Sequence, residues 1–192
     1  MATTEPIRDK KQIQAMAAYY FNKGKLRNYL LIILGVHTGL RIGDLLQLRQ
    51  SDVYDCANSS FRSHLQLVEQ KTGKVKGIAL NRKVVSALKM YFSNGQGQAG
   101  DFLFQSQRKK QNPIGRTQAW RIIREAVNAV GLMGCYGCHS MRKSLGYHAW
   151  KSGVQAVLLM DIFNHSSFEV TKRYLGISQD ERDQVYLGLN LV

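Results

Sequence analysis

The sequence predicts an α+β fold, a mainly helical body that carries one small antiparallel sheet. Three observations point there. Apolar residues recur at helical spacing over most of the chain, and within Phe61 to Val68 the residues Phe61, Leu65 and Leu67 alternate with Arg62, His64 and Gln66. The run Lys71-Thr72-Gly73-Lys74 supplies a turn between two strands. Taken in order, Ile13, Met16, Ala17 and Tyr20 mark a helix from about Lys10 to Phe21 that stops near Asn22 and Gly24. Leu26 to Val36 is apolar almost all round, which suits a helix inside the core, halted at Thr38-Gly39. Ile42, Leu45, Leu46 and Leu48 predict a short helix, and Val53–Tyr54, Phe61–Val68 and Ile78–Leu80 predict strands. Val84, Leu88 and Tyr91 mark the next helix. Trp120, Ile123, Val127 and Val130 mark another, with Arg116, Arg121 and Arg124 off that stripe. Met141, Leu145, His148 and Ala149 line one face of a third. Val154, Val157, Leu158 and Ile162 define a fourth, which closes at Asn164, a residue that tolerates the left-handed helix-end conformation. Ser166-x-x-Glu169 reads as a capping box opening a short helix with Tyr174, and Ser178-x-x-Glu181 repeats the device.

Composition narrows the function. The chain has 192 residues, 44% of them hydrophobic, which is material for a core and the size of one domain spanning 1–192. Lys and Arg number 27 against 13 Asp and Glu, a net charge of +14. Such an excess makes the compact state repel itself, so a polyanionic partner is expected, nucleic acid first and an anionic membrane surface second. The longest apolar run, Tyr29 to Val36, falls far short of the roughly 20 residues that span a bilayer. No signal-peptide pattern opens the chain, and three cysteines are too few for a disulfide framework. A cytoplasmic protein without a membrane partner is the expectation. Cys135-x-x-Cys138 beside His139 has no second ligand pair and reads as loop residues rather than a metal site.

Several polar residues stand at element ends, where scaffolds place functional groups. Arg41 follows Thr38-Gly39-Leu40 at a helix junction and Lys71 lies at the hairpin turn. His139 and Arg142 open a helix, His165 sits in a break between helices, and Tyr174 follows nine residues later. Singly, each reads as a surface charge, a turn lysine or a core aromatic. Together they form four ordered segments: Thr38 to Leu48, Gln70 to Leu80, His139-x-x-Arg142 with Ser144, His148 and Gly153, and Leu159 through Phe163-Asn164-His165-Ser166 to Thr171 and Tyr174. In order, spacing and context this set resembles the tyrosine recombinase (phage integrase) family over about Lys10 to Tyr186.

The resemblance implies a site-specific recombinase that cuts and rejoins DNA through a covalent 3′-phosphotyrosine, with no metal and no other cofactor. It makes Arg41 and Arg142 the clamp on the scissile phosphate, with His165 as a further donor. Tyr174 becomes the nucleophile, aided by His139, and Lys71 the acid that protonates the departing 5′ oxygen. Asp44 becomes the acidic residue that orients a neighbouring side chain. Phosphoryl transfer suits such a set, because charge on the non-bridging oxygens is met by planar arginine donors. A homo-tetramer on DNA, a monomer or weak oligomer in its absence and association with the nucleoid follow from the same resemblance. So does docking of the apolar C-terminal segment on a neighbouring protomer. Asn164 stands where the family usually has Gly, Lys143 where it has His, and Phe163 where it has Leu. Only about forty residues precede Arg41, too few for the N-terminal DNA-clamping domain of most members, so the chain is either a fragment or a likeness of the short fimbrial phase-variation recombinases, the second being the expectation taken. Competing readings are a type IB topoisomerase-like enzyme, a DNA-binding regulator without turnover, and a basic RNA-binding protein, for which the four segments have no explanation.

Overall fold

A computed structural model describes residues 4–69, 73–95, 101–108, 111–176 and 186–189. Helix α1 (Lys10–Asn22) begins where the Asp9 carboxylate accepts the Lys11 amide at 2.8 Å, and it buries Met16, Ala17 and Tyr20. Helix α2 (Leu26–Thr38) is the centre of the core, with Leu30, Leu31, Ile32 and Leu34 fully buried. Gly39 ends it at φ 60°, the left-handed conformation that a residue with a side chain resists. Arg41 then sits extended at the N-cap of α3 (Ile42–Gln47).

The sheet region differs from expectation in one respect. Strand β1 (Tyr54–Asp55) pairs with β2 (Ser60–Phe61), and β3 (His64–Val68) pairs with β4 (Val75–Ala79), as two separate antiparallel ladders rather than one sheet. The expected strand from Phe61 to Val68 breaks at Arg62-Ser63. There the Arg62 amide turns back to the Val53 carbonyl and its Nε to the Ser51 carbonyl, both at 2.9 Å. In the second ladder Leu65 faces Ile78 and Leu67 faces Lys76. Gly73, at φ 68°, closes it by donating to the Glu69 carbonyl at 2.8 Å.

Helix α4 (Arg82–Ser93) starts at an Asn81 cap and buries Val84, Ala87, Leu88 and Tyr91, as its periodicity requires. Helix α5 (Arg116–Ala129) turns Ala119, Ile122, Ile123, Ala126 and Val127 inward. Trp120, expected on that stripe, is half exposed, because Ala119 and Ile123 already define the buried line and Trp120 is rotated about 100° from Ala119. Helix α6 (Cys138–Lys151) packs on α2 and buries mostly polar residues, among them Ser140, Arg142, Lys143 and Ser144. Helices α7 (Ala156–Ile162) and α8 (Phe168–Leu175) follow, with a small second core of Leu159, Phe163 and Leu175.

Two expectations fail here. Val157 and Leu158 are exposed, since in so short a helix Leu159 and Ile162 occupy the inward line with Phe163 just beyond. The N-cap of α8 is Ser167, not Ser166, and it makes no side-chain cap bond, because Asn164 at φ 50° and the following two residues are needed to reverse the chain. The capping box at Ser178 lies outside the described residues.

The N-terminal segment is fastened to α6. The Ile7 amide donates to Ser144 Oγ at 2.8 Å, the Ile7 carbonyl meets His148 Nε2 at 3.0 Å, and Lys143 Nζ donates to the Thr4 carbonyl at 2.6 Å. Among the described residues no helix is long and apolar enough to cross a membrane.

Candidate active site

The site forms where the α2–α3 junction, the start of α6, the α7–α8 turn and α8 meet. Gly39 permits the first of these contacts: a Cβ there would stand 2.6 Å from Leu145 Cδ2. With the backbone so close to α6, Arg142 donates from Nη1 to the Gly39 carbonyl. It also donates from Nη2 to the Phe163 carbonyl at 2.8 Å and from Nε to the Tyr174 hydroxyl at 3.1 Å. Its side chain is 1% exposed. A guanidinium is tolerable at that depth because three acceptors replace water, and two of its five N–H groups remain for another acceptor.

Tyr174 lies against three rings, with centroids 4.6 Å from His165, 4.9 Å from His139 and 5.2 Å from Phe163. Its hydroxyl is 3.4 Å from His139 Nδ1, one helical turn before Arg142 on the same face of α6. His165 Nδ1 meets the hydroxyl of buried Thr171 at 3.0 Å. Lys143 Nζ lies 5.5 Å from the centre of the Tyr174 ring. On the far wall Arg41 Nη1 stands 2.8 Å from Glu69 Oε2, an ion pair rather than an aligned hydrogen bond. Lys76 Nζ donates to the Ile162 carbonyl and lies 3.8 Å from Glu69 Oε1.

Electrostatics follow from packing so many cations into partly dry space. Burial and the neighbouring Lys143 and Arg142 push the His139 imidazole down to about 4, and burial with Arg142 and Arg41 does the same to His165. Both rings are therefore neutral near pH 7, each with one donor and one acceptor nitrogen. Burial raises the Tyr174 phenol above its ordinary range, against the downward pull of Arg142. Burial also lowers Lys76, with Arg142 acting in the same direction.

Of the sequence candidates, His139, Arg142, His165 and Tyr174 converge within touching distance, and Arg41 joins the same charged pocket. Asp44 is buried in the first turn of α3. Lys71 lies outside the described residues; of the described ones on either side, the Gly73 amide donates to the Glu69 carbonyl. Sequence reasoning missed Glu69 and Lys76. A signal existed: Glu69 continues the inward phase of Leu65 and Leu67, and Lys76 that of Ile78, so both charges are on the buried face of their strands.

A family model described as the phage integrase family matches residues 8–181. This chain belongs to that family. As a member it is an enzyme of the integrase and tyrosine recombinase class. Its relatives include the probable integrase/recombinase YoeC of Bacillus subtilis, 37% identical over 97% of this chain and 97% of that protein. The type 1 fimbriae regulatory protein FimE of Escherichia coli is 28% identical over 85% of this chain and 82% of FimE. The tyrosine recombinase XerA of Pyrococcus furiosus is 22% identical over 88% of this chain but only 57% of XerA. So the chain spans nearly all of some relatives and little more than half of others. Among solved structures, a XerA recombinase crystal structure aligns over 98% of this chain and 65% of that one, with a TM-score of 0.75 at 19% identity. The XerH recombinase bound to a palindromic difH substrate in a post-cleavage complex aligns over 97% of this chain and 53% of that one, with a TM-score of 0.74 at 20% identity. These likenesses establish the mainly helical recombinase fold.

Proposed function

We propose that the protein is a site-specific DNA recombinase that cuts and rejoins strands through a 3′-phosphotyrosine at Tyr174. The observation that carries this reading is the Tyr174 hydroxyl, held between Arg142 Nε and His139 Nδ1 in a pocket that also contains Arg41 and His165. The Tyr174 proton passes to His139, whose ring is neutral near pH 7 and offers Nδ1 as the acceptor, while the charges of Arg142 and Arg41 stabilise the phenolate that forms. The Tyr174 oxygen then attacks phosphorus in line. Arg41, Arg142 and His165 donate to the non-bridging oxygens, where charge accumulates. When the Thr171 hydroxyl donates to His165 Nδ1, the ring proton sits on Nε2 and is available to phosphate. The bond from phosphorus to the 5′ oxygen breaks, and Lys71 supplies that oxygen with its proton. Attack by a 5′ hydroxyl of another strand reverses each step and frees Tyr174. The ester keeps the bond energy, so the cycle needs no nucleotide and no external oxidant or reductant.

The unit 1–192 acts as one catalytic domain on double-stranded DNA, within the compartment that holds the cell's DNA. It assembles there as a tetramer from protomers that associate weakly when free. Tyr186, Leu187 and Leu189, which are 78%, 87% and 55% exposed, supply an apolar surface for a neighbouring protomer. The test is covalent capture: incubate the protein in EDTA with supercoiled DNA from its own genomic surroundings, quench in SDS, and sequence the protein-linked ends. Linked ends that vanish in Tyr174→Phe support the reading and locate the target site. Binding without an adduct would favour a DNA-binding regulator. Adducts and relaxation without exchange would favour a topoisomerase-like enzyme.

A further inference from the structure

Glu69 is a carboxylate with 1% exposure at the root of the hairpin, surrounded by cations. Oε2 lies 2.8 Å from Arg41 Nη1 and accepts from Asn164 Nδ2 at 3.4 Å, while Oε1 is 3.8 Å from Lys76 Nζ. Asn164 is in turn held by Lys74 Nζ at 3.0 Å and immediately precedes His165. One buried anion thus touches the Arg41 junction, strand β4 and the α7–α8 turn. A charge at this depth is retained only when its partners compensate its desolvation, and here the compensation comes from groups that border the reacting centre. Arg41 is at a helix N-cap with its side chain 23% exposed, so nothing in its own backbone fixes the direction of the guanidinium. Glu69 takes the inner nitrogen, Nη1, which is shielded from solvent. The rest of the fork is left for an outside anion.

We infer that Glu69 is a positioning residue of the strand-cleavage site. Its carboxylate holds Arg41 in the orientation that meets the scissile phosphate, and through Asn164 it ties the turn bearing His165 to the same point. This rests on the phosphate-clamp reading of Arg41 proposed above. Glu69 does not touch the substrate. It acts by removing the rotational freedom of the arginine, and a misplacement of about 1 Å is enough to cost roughly a hundredfold in rate.

The experiment uses a duplex of the captured target site, made once with a normal scissile phosphate and once with a methylphosphonate there. The second carries no charge on its non-bridging positions and has little for Arg41 to neutralise. Single-turnover cleavage and DNA affinity are measured for the full chain and for Glu69→Gln. We expect the variant to cleave the phosphate roughly ten- to a hundredfold more slowly with affinity nearly unchanged. Its loss on the methylphosphonate should be several-fold smaller, with Arg41→Ala giving the same pattern. A variant as fast as wild type would overturn the role. So would an equal loss on both substrates, the mark of a general structural defect. If Glu69→Gln fails to fold, Glu69→Asp, which keeps the charge but shortens the reach, takes the same test with the same expected pattern. A wild-type chain that forms no adduct would overturn the recombinase reading and this role with it. An active wild type with an unaffected variant would overturn the role of Glu69 alone.

Discussion

Gly146, in the middle of α6, puts the packing beneath the site to a quantitative test. A Cβ at this position would stand 2.7 Å from Phe163 Cε2, 3.0 Å from Phe163 Cζ and 3.1 Å from Leu175 Cδ2. Replacing glycine by alanine inside a helix gains about 1 kcal/mol from the backbone alone. Against that gain, carbon atoms prefer separations of about 3.5–4.0 Å, so the Phe163 ring must retreat by about 1 Å. Phe163 is fully buried and lies in the small core with Leu159 and Leu175, which leaves it nowhere open to go. Overpacking of this kind costs about 1–3 kcal/mol. The two effects leave Gly146→Ala less stable by about 1 kcal/mol, a fall in Tm of roughly 2–4 °C for a chain of this size. Activity should suffer more than stability. Phe163 supplies the carbonyl that holds Arg142 Nη2, and its ring packs on Tyr174, so its displacement moves both members of the reacting pair. Urea unfolding gives the first quantity and single-turnover adduct formation gives the second, with cleavage expected to fall roughly ten- to a hundredfold. A variant that is more stable by the full helix gain and cleaves normally would refute the reasoning, because it would show that the ring yields freely.

Other expectations follow from the same packing and from the charge of the chain. His139 and His165 carry folded-state values of about 4, below the ordinary 6.5 of an unfolded histidine, so the unfolded chain binds protons that the folded chain refuses. Their contribution is fully present above pH 6.5 and is lost as pH falls from 6.5 towards 4. Both groups keep some solvent contact, which screens the effect. The urea midpoint should drop across that window less steeply in His165→Gln than in wild type, and identical slopes would contradict the burial argument. Tyr20 is fully buried and donates its hydroxyl to the Ile122 carbonyl at 2.8 Å, so Tyr20→Phe should lower stability by about 1–2 kcal/mol in the same assay. DNA affinity should fall steeply with salt, with a log–log slope near −0.9 for each phosphate neutralised; a flat response would remove the electrostatic basis for DNA binding.

The sequence revealed long, strongly periodic elements better than short ones. Helix α2 is apolar on every side because it is buried on every side, and α4 shows its core line at a single glance from Val84, Leu88 and Tyr91. A helix of seven residues carries too few turns for its period to say which face is inward, and in α7 the exposed Val157 and Leu158 are as apolar as the buried Leu159. The break at Arg62 left only a faint mark: Ser63 is polar where the phase of Phe61, Leu65 and Leu67 calls for an apolar residue, while the cause is a backbone bond back to Val53. In the site, His139, Arg142, His165 and Tyr174 could be picked out only together, through the resemblance of their ordered segments to a known family. Glu69 could not be picked out that way, since an acid next to a turn ordinarily reads as solvated. Only its phase with Leu65 and Leu67 distinguishes it, and the partner that explains its burial, Arg41, lies in another segment.

The bonds from Arg142 to Gly39 and to Phe163 reach across 103 and 21 positions of the chain. Contacts of such sequence separation carry a loop-closure cost that local contacts do not, and they need both segments to be present. A chain emerging from the ribosome holds Gly39 long before it holds Arg142, and Tyr174 later still. A half-made or truncated polypeptide can therefore carry much of the basic charge that attracts DNA and still lack any arrangement able to break a strand. The order of synthesis thus makes the arrangement around Tyr174 the last part of the described helical body to be completed.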